Sequence, residues 1–164
     1  MLNILTLGNE ILRKPALAIT DFNKETELLA QSMLESMYRG NGIGLAGPQV
    51  GELKRIFVAH VGGDKPRIFI NPEIIQTSID IVSYEEGCLS IPGMYADLLR
   101  PEKITVQAWT DTGKPFSFDA EGFLARVIQH EMDHLKGVLF IDHLTEKKRE
   151  RLLKNYSPKE LSYK

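Results

Sequence analysis

Hydrophobic positions recur at helical spacing near the start, late middle and end of this 164-residue chain, with strand-like runs between them. From about Lys24 to Tyr38, Leu29, Met33 and Met37 repeat every four residues, as do Ala30, Leu34 and Tyr38, which predicts an amphipathic helix. Asp21 or Asn23 can cap its start, and Gly40 stands where a left-handed stop is expected. Its methionines read as a core stripe. A second helix is predicted over about Ala120 to Lys136, ending at Gly137, and Phe123, Leu124, Val127, Ile128 and Leu135 give it the broad apolar face of a buried helix. A third starts behind Thr145 and fades near Ser157-Pro158.

Between the first two helices the period shortens. Asn41 to Val50 is a loop of small residues, and β-type runs follow at Arg55–Val61, Arg67–Ile70 and Ile79–Ser83, punctuated by Gly62-Gly63 and Asn71-Pro72. Lys103–Trp109 and Pro115–Phe118 flank the turn residues Asp111-Thr112-Gly113 and read as a hairpin. Strands first and a buried helix late predict an α+β fold rather than alternating βαβ units. No repeat or linker divides residues 1–164, so one domain is expected.

Composition excludes more than it selects. An apolar fraction of 43% and a charged fraction of 26% are ordinary for a globular protein. A net charge of −2 argues against nucleic-acid binding, and Lys147-Lys148-Arg149-Glu150-Arg151 reads as a solvated helix face. One cysteine rules out an internal disulfide. No apolar stretch is long enough to span a bilayer and the N-terminus lacks signal-peptide character, so the cytoplasm is the expected location.

The chemistry concentrates in the second helix. His130 and His134 are four apart, so both rings project from one face and can reach one metal ion. Glu131, about 100° further round, can touch water at that ion without ligating it. Two imidazoles and a carboxylate on an apolar helix face would cost several kcal/mol without partners, which favours the metal reading of H-E-x-x-H. A catalytic metal needs a third protein ligand. His143 is available downstream but lies past the helix end. Cys88, in Glu85-Glu86-Gly87-Cys88-Leu89-Ser90, is flanked by carboxylates and glycine rather than a hydrophobic run, and is the better candidate. His60 reads as a strand residue.

Three segments in order, Gly42-Ile43-Gly44-Leu45-Ala46-Gly47-Pro48-Gln49, Glu86-Gly87-Cys88-Leu89-Ser90 and Gln129-His130-Glu131-Met132-Asp133-His134, closely resemble the three motifs of the peptide deformylases. Leu12-Arg13-Lys14 and Arg100-Pro101 fit as flanking features, so the resemblance covers nearly the whole chain. It implies antiparallel sheets packed around a central helix bearing the histidines. It also implies removal of the formyl group from formylmethionine of nascent polypeptides, with release of formate. Carried over by position, Cys88, His130 and His134 hold the metal, Fe(II) in the cell with zinc, nickel or cobalt accepted. Water fills the fourth place, and Glu131 acts as general base and then acid. The Gln49 amide and the Leu89 N–H receive the oxyanion. Ile43, Tyr84, Phe123 and Val127 line the methionine pocket, while Gly44 and Gly87 flank the peptide. Gly42 and Gly44 suit pairing with an extended substrate, and Gln129 and Asp133 are read as supports, Asp133 orienting an imidazole. The expected partners are formylmethionyl nascent peptides and the ribosome near its exit tunnel, met by a monomer.

Two departures from the family pattern stand out. Gly47 replaces an alanine, which is expected to free the backbone beside Gln49. Tyr95 stands where some relatives carry arginine, so contacts beyond methionine should be more apolar, with Arg126 a candidate replacement charge. The main rival is a zincin-type metallopeptidase, which expects a third ligand downstream and has no use for Cys88. A ribosome-associated binding module without catalysis is the non-enzyme rival, and the complete set of reactive residues counts against it.

Overall fold

The structure, a computed structural model, describes residues 2–157. Helix α1 (Lys24–Arg39) begins where Asn23 Oδ1 accepts from Thr26 N at 3.1 Å, and it buries Ala30, Met33, Leu34 and Met37. Gly40 is not its left-handed stop: its φ is −79°, and the left-handed turn falls instead on Asn41, at φ 56°. An asparagine tolerates that region, so the chain reverses one residue later than the glycine suggests.

The chain then builds strands β1 (Gly44–Ala46), β2 (Ile56–Ala59), β3 (Arg67–Thr77), β4 (Ile81–Cys88), β5 (Ile91–Pro101), β6 (Lys103–Trp109) and β7 (Pro115–Glu121). All their pairings are antiparallel. Five form one sheet in the order β1-β2-β3-β6-β7, and β4 and β5 form a separate two-stranded sheet. The predicted hairpin is β6–β7. The strand reading missed β5 altogether and stopped β3 and β4 short, at Ile70 and Ser83. Both strands carry polar and charged residues through their second halves, and successive residues are exposed on both faces, Ile81 to Glu85 in β4 and Ile75 to Thr77 in β3, which dilutes the hydrophobic period. The loop predicted from Asn41 to Val50 contains β1, a three-residue edge strand.

Helix α2 (Gly122–Leu135) is the central element. It is buried continuously from Ala125 to Met132 and packs on β1, β2, β5, β6 and β7. Ala125, Ile128, Met132 and Leu135 join Phe57, Phe69 and Val106 in one core, while α1 closes the opposite face of the sheet through Met33, Met37, Ile56 and Val58. Gly137 (φ 76°) terminates α2 as expected. Helix α3 (Glu146–Leu153) starts behind Thr145, whose hydroxyl accepts from Lys148 N, and ends before Ser157; Pro158 lies outside the described residues. No helix among the described residues is long and apolar enough to cross a membrane.

Candidate metal centre

Strand β4 and helix α2 meet at one point, where Cys88 closes the strand and faces the histidine side of the helix. His134 Nε2 lies 3.3 Å from Cys88 Sγ and 3.2 Å from His130 Nε2. All three donor atoms fall within 4.8 Å of one another. Burial pulls His134 well below the ordinary histidine pKa, and the charge on His130 adds to that pull. For His130 burial acts the same way, yet the bonds to Cys88 and Glu86 overturn it and raise the ring well above its ordinary value. The Nε2 atoms of both rings and the Cys88 Sγ converge on a common point. A divalent cation there would satisfy all three donors, and the sulfur and nitrogen set suits Fe(II) or Zn(II). His143 does not contribute. It bonds Asp133 Oδ2 at 2.8 Å on a half-exposed turn.

The metal-side ring is oriented by a residue sequence reasoning passed over. Glu86 Oε1 lies 3.0 Å from His130 Nδ1, which leaves Nε2 free to ligate. Asp133 does not play that part: it bonds Arg100 and His143. Glu86 is 5% exposed and receives Arg100 Nε and Nη2, at 2.6 and 2.9 Å, and Arg126 Nη1 at 2.8 Å. Burial would raise its pKa, but His130 and Arg100 hold it far below the usual carboxylate range. Arg126 is therefore committed to Glu86 and to the carbonyls of Leu98 and Val82, not free to meet substrate. Gln129 bonds the Pro101 and Ala125 carbonyls, a role in holding α2 to β5. Adjacency to Gly87-Cys88 was the only local clue to Glu86; its partners lie 14 to 44 residues away.

Glu131 is 3% exposed, and its Oε2 has no protein partner. Burial raises its pKa to about 7, against the opposing charge of His130. Gly44 makes room for it: a Cβ there would stand 2.7 Å from Glu131 Oε1. Gln49 Oε1 accepts from Ala46 N at 2.9 Å, so its Nε2 faces Ser90 Oγ at 3.0 Å and Cys88 Sγ at 3.5 Å. Gly47 does not loosen this arrangement. The Glu52 and Lys54 carbonyls occupy the space a methyl would need, each 2.7 Å from its position.

These groups line a cavity of about 510 Å³. Cys88, Leu89, His130 and Glu131 border its middle, while Tyr84, Phe123 and Val127 are grouped beside it. The Tyr84 and Phe123 rings are 5.5 Å apart and both are about half-exposed, with Ile43 as an apolar rim. The free edge of β1 runs along the wall, since β1 pairs only with β2. Tyr95 is the register partner of Gly87 and lies against its backbone.

Residues 1–150 match the family model described as polypeptide deformylase. The chain is 53% identical over 142 residues to peptide deformylase 1 of Clostridium perfringens, covering 86% of this chain and 96% of that protein. It is 46% identical to the peptide deformylase of Borreliella burgdorferi, covering 90% of each. In structure it is similar to the Synechococcus elongatus peptide deformylase solved in complex with actinonin, with a TM-score of 0.90 and 40% identity over 95% of this chain and 89% of that one. The Legionella pneumophila peptide deformylase gives 0.90 and 39% over 94% and 92%. Family match, fold and metal-binding geometry thus agree, and the chain belongs to the polypeptide deformylase family, metal-dependent hydrolases that remove the N-terminal formyl group from nascent polypeptides.

Proposed function

We propose that Cys88, His130 and His134 hold the catalytic metal, Fe(II) in the cell, and that Glu131 moves the proton of the reaction. The observation that carries this is the convergence of two buried imidazoles and the partly buried Cys88 thiol beside a carboxylate whose second oxygen has no partner. A divalent ion held by these residues would acidify water enough to supply the nucleophile near neutral pH. Glu131 Oε2 takes the proton released from water and delivers it to the amine, which leaves poorly unless protonated. The Gln49 Nε2–H and the Leu89 N–H donate to the formyl oxygen as it gains charge. Gln49 suits that task because its own carbonyl is tied to Ala46, which fixes which end of the amide faces the cavity.

The substrate backbone lies along the free edge of β1, with Gly44 and Gly87 on the two walls and methionine among Ile43, Tyr84, Phe123 and Val127. Tyr84 and Phe123 are apolar and partly exposed, so they gain burial when methionine enters. The same reading makes the enzyme a single-domain monomer of the cytoplasm that meets formylmethionyl chains near the ribosomal exit tunnel.

The test is formate release from formyl-Met-Ala-Ser by protein purified and metal-analysed under anaerobic conditions. One bound metal per chain with steady release is expected, and no acetate from the N-acetyl peptide. Cys88→Ala should lose both metal and activity. Intact metal and turnover in that variant would instead remove Cys88 from the ligand set. The iron form should lose activity in air or peroxide through Cys88 and Fe(II) oxidation, while a nickel or zinc form is retained longer.

A further inference from the structure

The cavity over the metal centre does not end at the reacting atoms. Pro92, Gly93 and Tyr95 border it as well, and two of these, Gly93 and Tyr95, also line a second groove of about 550 Å³. One wall of that groove is β5, through Met94 and Asp97; the other is α3, through Lys148, Arg151 and Leu152. Lys148 and Arg151 are three apart on α3, so they share a face, and both are exposed. Neither is paired with a carboxylate among the described residues. Leu144 and Leu152 give the groove an apolar base beneath these charges.

We propose that this groove is the downstream track of the enzyme's own peptide substrate, taking the fourth to sixth residues and favouring acidic side chains there. The inference rests on the deformylase reading of the metal centre. A nascent chain anchored by methionine must leave the cavity, and the cavity shares Gly93 and Tyr95 with the second groove. An extended chain advances about 3.4 Å per residue, so each residue beyond the third adds that much reach along the groove. Asp97 and its register partner Glu85 lie on the β5 side. They repel an acidic side chain from that wall and direct it towards Lys148 and Arg151. These contacts are remote from the reacting atoms and equal in ground and transition states, so they act on KM and leave kcat unchanged.

The experiment compares three C-terminally amidated peptides: formyl-Met-Ala-Ser, the same peptide extended by three glutamates, and the same extended by three lysines. An exposed ion pair is worth about two- to fivefold in binding. The glutamate peptide should therefore show a KM about fivefold below the tripeptide and at least tenfold below the lysine peptide, at equal kcat. The advantage should vanish in 0.5 M salt, and in Lys148→Glu/Arg151→Glu the preference should reverse towards the lysine peptide, with unchanged melting temperature as the folding control. Equal kcat/KM for all three peptides overturns the groove, and a preference for lysine overturns it too, because the chain then lies on Asp97 and Glu85. Formate release from the tripeptide separates the two levels: a tripeptide that is processed without regard to extension sinks only the groove, whereas no release from any peptide sinks the deformylase reading beneath it.

Discussion

A carboxylate that is 3% exposed and lacks a partner for one oxygen is held where water would never put it. For Glu131 the consequence is a pKa of about 7, raised by burial. A base must be unprotonated to act, so kcat/KM should fall as pH drops below about 7, and lower still with the cation's charge nearby; a profile flat to pH 4 would remove Glu131 from the role. Glu131→Gln should keep its metal and lose at least about a hundredfold in kcat. The same raised pKa opposes folding above the unfolded value. Its protonated form is favoured below pH 4.5, and that favour is lost as pH rises to about 7. Glu131→Gln, with metal removed, should therefore melt higher than the parent at pH 8 and not at pH 4, a trade of stability for catalysis. Glu86 has the opposite sign. Its depressed pKa contributes stability above the ordinary carboxylate range, lost as pH falls below it. Glu86→Ala leaves Arg126 with no carboxylate and Arg100 with Asp133 alone, and should cost about 3–5 kcal/mol by urea unfolding, with metal affinity down roughly 10- to 100-fold.

Among the elements, α2 and β4 were not equally readable. The apolar face of α2 and its His-Glu-x-x-His spacing are local, so the helix, its end at Gly137 and two of three ligands follow from a single window of sequence. Cys88 gives a weaker local signal, a thiol set among carboxylates and glycine rather than in a hydrophobic run, and it lies on β4, which pairs with β5, a strand whose alternating exposure hid it. The glycines mark where elements touch. A Cβ at Gly137 would stand 2.5 Å from the Arg13 carbonyl oxygen, in a left-handed backbone. Gly137→Ala should destabilise by about 2 kcal/mol or more, measured by thermal or urea unfolding. Gly44→Ala is expected to act differently: by pressing Glu131 Oε1 and Val127 it should lower kcat while metal content stays whole.

At the scale of the molecule, the proposed ligands come from the small sheet and the central helix, so an ion bound there would tie the two together. Chelation should lower the melting temperature and weaken amide protection in β4 and β5 more than in β2, β3 and β6, as hydrogen exchange with and without metal would show. Sequence alone determined the α+β class, the central helix with its histidines, the hairpin of β6 and β7 and, through three ordered motifs, the chemistry expected of Cys88, Gln49 and Glu131. These rest on short-range periodicity and on residue types whose reactivity is intrinsic. What only the tertiary structure decided is which groups hold the reactive ones: Glu86 rather than Asp133 on His130, Arg126 spent on Glu86, Gly47 closed by two carbonyls, and a groove leading away past Tyr95. Each depends on atoms far apart along the chain meeting in a buried place, where low dielectric and close packing make the choice of partner decisive.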